Sequence, residues 1–371
     1  MRYRRRVFSK KPFDAHDNGD FVKAVAELTR YHIKHNEKYA RLTQAQGFDP
    51  DCLVDDGSLY KLPFIPTVTF KKHELFSMKK SAVPDKVTSS GTSGGAGVIG
   101  FELSGLWQAL KMTLKIFSYK RLFSPRLTNY IVFGYKPDSK NKTAVSKTAF
   151  GATLFAPACH RVYALTRKNG KYEADLDKVC EAIVRFSRSS HPVRFMGFPS
   201  YTYFTMRMLE QKGIKVKLPR GSKIMLAGGW KQYYREQVDK EEFYETAKRV
   251  LGVDDRDIVE FYGAVEHPIA YCDCENHHFH VTSYSRVIIR DVSTLKPVPF
   301  GEPGLVELIT PMIKATPITA VMTDDLGVMR PGSDCGCGIE APYFEIIGRV
   351  GLKDIKTCAA GAAKLLYEVK L

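Results

Sequence analysis

A run of small residues from Thr88 to Gly97 is the segment of the sequence with the clearest chemistry. It reads TSSGTSGGAG and holds only Gly, Ser, Thr and one Ala. Glycines let main-chain N–H groups turn toward a ligand, and the hydroxyls add donors, so the run is suited to phosphate oxygens. It lacks the GK[ST] ending of a Walker P-loop and the GxGxxG spacing of a dinucleotide fold. We expect a phosphate-binding loop here, and the alternative is a flexible linker.

Two acidic motifs follow later in the chain. Phe261-Tyr-Gly-Ala-Val-Glu266 comes at the end of a predicted strand, where α/β folds place ligands and Mg²⁺. Met322-Thr-Asp-Asp-Leu-Gly327 puts two carboxylates beside a turn, which suits ribose hydroxyls or a cation. Each motif also has an ordinary structural explanation, so neither is decisive alone.

Cysteines and histidines cluster in two parts of the sequence. Soft sulfur and nitrogen ligands in two close groups are typical of a tetrahedral structural zinc site, although the C-x-C spacing is tighter than usual. The preferred ligand set is Cys274, His280, Cys335 and Cys337, with Cys272 as a substitute. The alternative is ordinary buried thiols beside surface histidines. The residues of the two clusters are Cys272, Cys274, His277, His278, His280, Cys335 and Cys337.

Helices and strands alternate around these motifs. We predict an amphipathic helix over residues 20–46, a strand at LPFIPTVTF (residues 62–70) and a helix after Asp175. A further helix begins at Ser104. Its predicted apolar stripe consists of Leu106, Leu110, Leu114 and Phe117. Short β-rich runs separate the helices, and strands and turns dominate after residue 280, so the sequence predicts an α/β chain with mostly buried sheets.

Composition narrows the class of protein further. The 371 residues are 44% hydrophobic and include 22 Phe and 19 Tyr, which excludes a mainly disordered chain. No apolar stretch approaches the ~20 residues of a membrane-spanning helix. The basic N-terminus has no apolar segment after it, so we expect a cytoplasmic protein with reduced cysteines. The 56 Lys and Arg against 40 Asp and Glu leave a charge of 56 − 40 = +16, which favours anionic partners.

Taken in order, the motifs resemble those of the adenylate-forming enzymes, the superfamily of acyl-CoA synthetases and firefly luciferase. Leu226-Ala-Gly-Gly-Trp-Lys231 resembles the adenine-side segment, and Met322–Leu326 resembles the TGDL motif with Asp324 in place of its glycine. The resemblance implies ATP as substrate, Mg²⁺ held by Glu266, and a hinge-side Arg349. The implied nucleotide-binding residues are Ser89, Ser90, Gly91, Thr92, Ser93, Gly94, Gly228, Gly229, Tyr262, Gly263 and Asp325.

The sequence is more closely similar to the acyl-protein synthetase family, the fatty-acid ligase component of bacterial fatty-acid reductases. The similarity covers LPFIPTVTFKK, VTSSGTSG, GFPSY, LAGGWK and the end from Ile347-Gly-Arg to Lys356-Thr-Cys358. It implies activation of a fatty acid, long-chain in our interpretation, to acyl-AMP. The acyl group would then form a thioester with Cys358 and pass to an acyl reductase partner.

The same resemblance implies the domain organisation. An α/β adenylate-forming N-terminal core with layered sheets and helices would cover residues 1–345, and the C-terminal domain would be truncated to a short tail at 346–371. Within the core we expect a helical region at about 1–60, α/β subdomains at about 61–280 and a β-rich subdomain at about 281–345.

Three other interpretations of the sequence stay open at this point. One is a phenylacetate-type acyl-CoA ligase that lacks its own C-terminal domain. Another is a basic, zinc-containing protein that binds nucleic acid, although the dispersed basic residues lead us to expect no nucleic acid. The third is a catalytically inactive scaffold, because Asp324 departs from the TGDL pattern.

Overall fold

The chain forms two compact units in a computed structural model that describes residues 1–14, 19–88, 97–135, 151, 153–168, 171–230 and 237–349. The first unit combines Met1–Ile116 with Gly263–Leu371, and the second is Phe117–Tyr262. Among the helices that the structure describes, none combines the length and the apolar character that a membrane span requires. The predicted division into a core at 1–345 and a tail at 346–371 stays a prediction.

Helices and strands alternate through most of the described chain, as the sequence predicts. The helices are α1 Arg2–Val7, α2 Asp20–His35, α3 Glu37–Ala45, α4 Thr67–Lys72, α5 Leu103–Tyr119, α6 Leu176–Ser187, α7 Pro199–Gln211 and α8 Lys240–Leu251. The strands are β1 Ile65–Pro66, β2 Asp85–Thr88, β3 Val98–Phe101, β4 Thr128–Tyr135, β5 Ala158–Lys168, β6 Lys171–Ala174, β7 Val193–Gly197, β8 Lys223–Ala227, β9 Ile258–Ala264, β10 His267–Cys272, β11 Phe279–His280, β12 Arg286–Arg290, β13 Pro303–Ile309, β14 Ala320–Arg330 and β15 Tyr343–Arg349. The mixed α/β class is therefore confirmed.

A seven-stranded sheet has the strand order β10-β9-β8-β7-β4-β5-β6. The five strands from β9 to β5 in this order run parallel, and β6 is antiparallel to β5. Helices α6, α7 and α8 pack their apolar residues on one face of β4, β7 and β8, where Phe133, Phe195 and Ile224 lie fully buried. The residues of these strands that face the helices are accordingly apolar.

A second sheet of six strands belongs to the first unit. Its order is β11-β15-β14-β13-β12, and β1 pairs in parallel with the beginning of β14. The strands of the main path pair in antiparallel fashion, with a register shift in β14 between Leu326 and Gly327. Strands β2 and β3 form a separate antiparallel hairpin in the same unit.

The structure corrects three details of the predicted elements. The helix predicted over residues 20–46 breaks at Asn36, whose side chain accepts a hydrogen bond from the Tyr39 N–H and caps α3. Of the strand predicted at 62–70, only Ile65–Pro66 is extended and paired, and α4 follows at once. The apolar stripe predicted for α5 is wrong in part, because Leu110 and Leu114 are 47% and 41% exposed.

Candidate active site and metal centre

The predicted phosphate loop lies between strands β2 and β3 in the sequence. Thr88 and Val98 form the last pair of β2 and β3, and residues 89–97 connect them in the sequence. The six loop residues predicted to bind phosphate lie outside the described residues, as does Cys358 of the predicted tail. The loop residues are Ser89, Ser90, Gly91, Thr92, Ser93 and Gly94.

The predicted adenine-side residues follow the end of a parallel strand. Gly228 and Gly229 come directly after β8 and have φ angles of +83° and +65°, a region that glycine adopts without strain. Tyr262 lies near the end of the neighbouring strand β9, which pairs in parallel with β8 at Ala227 and Phe261. Carboxyl ends of parallel strands meet at one sheet edge, which is the edge where α/β folds bind ligands.

Glu266 lies in the turn that joins β9 to β10. It is almost fully buried, with 5% of its surface exposed. Gly263 precedes it near the end of β9, where an added Cβ would come within 2.9 Å of the Ile269 carbonyl oxygen. The close approach of the two strands therefore requires glycine at this position, and it holds the turn that carries Glu266.

Asp325 and Arg349 are direct partners across β14 and β15. Arg349 Nε lies 3.4 Å from Asp325 Oδ1, and the aspartate side chain keeps 19% of its surface exposed. The Asp325 N–H is bonded to Thr323 Oγ1, which in turn donates to the Val306 carbonyl. The structure thus brings together the two residues that the sequence predicted for the ribose and the hinge, and it leaves the carboxylate partly accessible to a ligand.

The four preferred metal ligands converge in the first unit. Ligand atoms of Cys274, His280, Cys335 and Cys337 all lie within 4.8 Å of one another. The Sγ atoms of Cys274 and Cys335 are 3.5 Å apart, and Cys337 Sγ is 3.2 Å from His280 Nε2. Around a tetrahedral zinc with bonds of about 2.0 to 2.3 Å, ligand atoms are separated by about 3.3 to 3.8 Å, so the donor set fits this ion.

Neighbouring groups orient the four ligands. His280 Nδ1 lies 2.6 Å from the Ala341 carbonyl oxygen, which fixes the proton on Nδ1 and turns the Nε2 lone pair toward the thiols. His278 Nδ1 lies 3.2 Å from Cys335 Sγ. Sequence reasoning noted His278 in the cluster without assigning this contact, and no sequence signal marks the Ala341 carbonyl. Cys272, the predicted substitute, is buried at the end of β10 and is not one of the four.

The pKa values of the three thiols are shifted in different directions. Burial acts to raise the pKa of Cys274, but interactions with His280 and nearby main-chain groups outweigh it, and its pKa falls to about 6. Burial raises the pKa of Cys335 to about 12 and raises that of Cys337. Three thiols and an imidazole this close together favour a bound cation, because a divalent ion replaces the thiol protons.

Solved structures with the same architecture show the fold. The chain aligns with 2-hydroxyisobutyryl-CoA ligase in its postadenylation state with 2-HIB-AMP, at a TM-score of 0.69 and 14% identity, over 92% of this chain and 69% of that one. An open conformation of that ligase aligns at a TM-score of 0.65 and 14% identity, over 89% and 74% of the two chains. The fold is that of the adenylate-forming acyl-CoA ligases.

Sequence comparison then gives the family. Residues 4–366 match the family described as "Acyl-protein synthetase, LuxE", and the chain belongs to that family. Long-chain-fatty-acid–luciferin-component ligases of Vibrio harveyi and Aliivibrio fischeri are each 23% identical to it. The first alignment covers 89% of this chain and 84% of the relative, and the second covers 93% and 88%. The predicted family, fold class and type of enzyme, an acyl-protein synthetase ligase, are confirmed.

Proposed function

We propose that the chain activates a long-chain fatty acid as acyl-AMP and then carries the acyl group as a thioester on Cys358. The observation that carries this proposal is the match to the acyl-protein synthetase family across residues 4–366. The adenylate-forming fold supports the first half of the reaction, and the names of the two bacterial relatives support a fatty acid as substrate.

In the first step the fatty carboxylate attacks the α-phosphorus of ATP, the bond to the β-phosphate oxygen breaks, and acyl-AMP and pyrophosphate form. Loop residues Ser89–Gly94 would donate hydrogen bonds to the phosphates. Asp325 would accept from the ribose hydroxyls, with Arg349 beside it, and the Gly228-Gly229 turn would lie against adenine together with Tyr262 and Gly263. Catalysis of this kind rests on positioning and on stabilisation of developing charge.

Glu266 would hold Mg²⁺ during the first step. A hard cation of this kind takes one or two carboxylates together with substrate phosphates, so a single carboxylate at the site is sufficient. The ion would neutralise negative charge on the leaving pyrophosphate.

In the second step the Cys358 thiolate attacks the acyl carbonyl of the mixed anhydride. A C–S bond forms, the bond to the AMP oxygen breaks, and AMP leaves with its electron pair. A thiolate is a far better nucleophile than water at neutral pH, which makes a cysteine suitable as acceptor. The partner that takes the acyl group onward would be an NADPH-dependent acyl reductase, in which hydride from NADPH and a proton would convert the thioester to an aldehyde and release the thiol.

We also propose a structural zinc ion at Cys274, His280, Cys335 and Cys337. The fit of the ligand spacing to tetrahedral coordination and the orientation of His280 by the Ala341 carbonyl support it. The ion would join the β10–β11 segment to residues 335–337, which lie between β14 and β15, and so supply stability rather than catalysis.

Carboxylate-dependent ATP–pyrophosphate exchange, combined with covalent labelling by radioactive fatty acid, tests the enzyme proposal. In Cys358→Ser we expect exchange to continue, because acyl-AMP still forms, while acid-stable labelling of the protein as a thioester is lost. Cys52→Ser, a change at another accessible cysteine, serves as the control and should retain both activities. Persistent thioester labelling of Cys358→Ser would exclude that cysteine, and release of AMP only with coenzyme A would favour an acyl-CoA ligase instead.

A further inference from the structure

An apolar stripe on helix α5 is exposed to solvent in the first unit. It consists of Leu103, Trp107, Leu110 and Leu114, which are 73%, 58%, 47% and 41% exposed. Successive members are three or four residues apart, so all of them lie on one narrow face of the helix. Single apolar residues on a surface need no explanation, whereas a line of them that includes a tryptophan indicates a binding surface.

The opposite side of α5 already provides the packing that the fold needs. Gln108, Met112 and Ile116 are buried on that side. Gly105 also lies there, where an added Cβ would come within 2.8 Å of Ile313. The inner side therefore fixes the helix, and the exposed stripe can contact a partner without any change in the core.

A second line of residues borders the stripe on one side. Ser104, Lys111 and Lys115 each come directly after a member of the stripe in the sequence, so the two lines lie about 100° apart around the helix. The N-terminal segment of the chain runs along this second line. Arg4 Nη2 donates to Ser104 Oγ at 2.6 Å, and Lys115 Nζ donates to the Ser9 carbonyl oxygen at 2.6 Å.

The surface beside the stripe is basic. Residues 1–13 hold six Lys and Arg, residues 103–119 hold two, and neither stretch contains Asp or Glu. The adjoining carboxylate of Glu102 is 6% exposed and accepts from Arg4 Nη1 at 2.8 Å, so its charge is neutralised inside the unit. The exposed bases of the N-terminal segment include Arg2, Arg5 and Lys11.

We propose that this face of α5 docks the chain on an anionic lipid surface. A helix with tryptophan and leucine on one face and Lys or Arg beside them lies in the interface of a membrane, with its apolar side chains among the acyl chains. The bases then contact the headgroups, and each base near a negatively charged leaflet adds to binding. Since neither basic stretch contains a carboxylate that would oppose this attraction, the charge of the surface complements an anionic membrane.

A second copy of the chain is a less suitable occupant of this face. Symmetric dimers bring the same surface of each protomer together, so the bases of residues 1–13 would lie near their own counterparts. Like charges that face one another oppose association. An anionic lipid surface attracts the same bases.

The proposed function gives this docking a use. Each CH₂ group of a long-chain fatty acid favours lipid over water, so such a substrate is concentrated in the bilayer. A ligase docked on that surface would take up its substrate there. Membrane binding itself stands on α5 and its surroundings, whereas this use of it rests on the proposed function.

Flotation of the whole chain with lipid vesicles tests the inference. We expect the wild type to float with vesicles of phosphatidylcholine and phosphatidylglycerol in equal parts, to float poorly with phosphatidylcholine alone, and to be released by high salt. The double substitution Trp107→Ser and Leu110→Ser should lower the partition coefficient about tenfold or more, because two of the apolar side chains that enter the interface are lost.

Phe300→Ser is the matched control. Phe300 is also a large apolar residue and is 54% exposed, but it lies just before β13 and outside α5. This variant should float as the wild type does. Thermal unfolding of the variants distinguishes loss of binding from a folding defect, and we expect wild-type melting temperatures because the substituted positions are exposed.

Tryptophan fluorescence tests whether α5 is the element that enters the lipid. The chain has two tryptophans, and Trp230→Phe leaves Trp107 as the only one. Anionic vesicles should shift the emission of Trp107 in that variant to shorter wavelength, since the indole leaves water. An unchanged spectrum in a protein that floats would assign the binding to another surface and overturn the proposal.

The remaining outcomes are equally distinct. The inference fails if the wild type does not float with anionic vesicles, or if the double variant floats as well as the wild type does. Dimerisation that the double substitution abolishes, in a chain that binds no vesicles, would assign the face to a second copy instead. Pyrophosphate exchange judges the proposed function separately, because a chain that floats but shows no exchange with any carboxylic acid retains the docking surface and loses the function.

Discussion

Glu266 is the carboxylate of the candidate active site with the least contact with solvent. Its 5% exposure means that its charge is sensitive to any nearby cation, because the surrounding dielectric constant is low. The turn between β9 and β10 holds the Glu266 side chain in place. A substitution by glutamine therefore removes the charge while the shape of the side chain is kept.

Glu266→Gln should raise the Mg²⁺ concentration needed for half-maximal pyrophosphate exchange by about tenfold or more, since the amide retains the geometry and loses the negative charge. The measurement is exchange rate against Mg²⁺ concentration at saturating ATP. Glu345→Gln is the control, because Glu345 is 40% exposed, is paired with Arg330 and is not among the predicted site residues. A wild-type Mg²⁺ dependence in Glu266→Gln would remove this residue from the metal site.

The identities of the four predicted metal ligands could be read from the sequence, whereas the groups that orient these ligands could not. Cysteines and histidines are rare and chemically specific, so Cys335-x-Cys337 and the Cys274–His280 stretch stand out without a structure. The Ala341 carbonyl that orients His280 carries no side-chain signal at all. Likewise Glu102 is one acid among 40 acidic residues, and only the folded chain shows that its carboxylate accepts hydrogen bonds from the segment between β13 and β14.

Helix α5 shows why periodicity alone could not select a buried face. Its apolar residues cover a wide part of the helix outside the side of Lys111 and Lys115, so more than one stripe satisfies helical spacing. The buried side is the one with Gln108, Met112 and Ile116, and Gly105 marks it, because an added Cβ there would lie 2.8 Å from Ile313. Trp107 lies on the other side with 58% of its surface exposed. Helix α2 posed a different problem, since the Asn36 cap interrupts a continuous amphipathic pattern.

A buried ion pair joins β12 to β13 in the six-stranded sheet. Arg290 Nε lies 2.5 Å from Glu307 Oε2, and the two side chains are 6% and 0% exposed. Burial raises the pKa of Glu307 to about 7, although Arg290 acts in the opposite direction. Because the folded-state pKa lies above the ordinary value, the fold favours the protonated acid, and this contribution to stability declines as the pH rises toward 7.

Arg290→Met should remove the charge that opposes burial, so the pKa of Glu307 rises further. We expect a loss of about 3 kcal/mol or more in the free energy of unfolding. The loss should be larger at about pH 8 than at about pH 5, because at about pH 5 the folded acid is neutral in both proteins, whereas at about pH 8 it ionises beside Arg290 in the wild type only. Urea unfolding at the two pH values measures this. Arg330→Met, at an exposed pair in the same sheet, should cost about 1 kcal/mol or less. Equal losses in the two variants would contradict the argument.

The net charge of +16 acts across the whole molecule. It suits a ligase that handles ATP, pyrophosphate and fatty carboxylates, because a positive field raises the local concentration of anions. The same charge lowers the stability of the folded state, because like charges repel one another in a compact chain. A bound zinc ion at the proposed centre would offset part of this loss.

Purified protein should contain about one zinc ion per chain by elemental analysis, and a strong chelator should lower its melting temperature, since metal binding adds to folding free energy. Cys337→Ser should lose the metal and the response to chelator together. Cys180→Ser is the control, because Cys180 is a buried thiol in the other unit and is not one of the four predicted ligands. Metal-free wild-type protein that melts at the same temperature with and without chelator would exclude the zinc centre.

The first unit consists of two separate stretches of the chain, and this affects the order in which the units can fold during synthesis. Ile65 and Pro66 pair with Val321 and Met322, so β1 is made long before the strand that binds it. The second unit, Phe117–Tyr262, is continuous and needs no later sequence to close its apolar core. Domains tend to fold as units while the chain emerges, and pairing across long sequence separations is slow. A nascent chain that has reached residue 262 therefore holds a second unit ready to fold and a first unit that still lacks β14, its central strand.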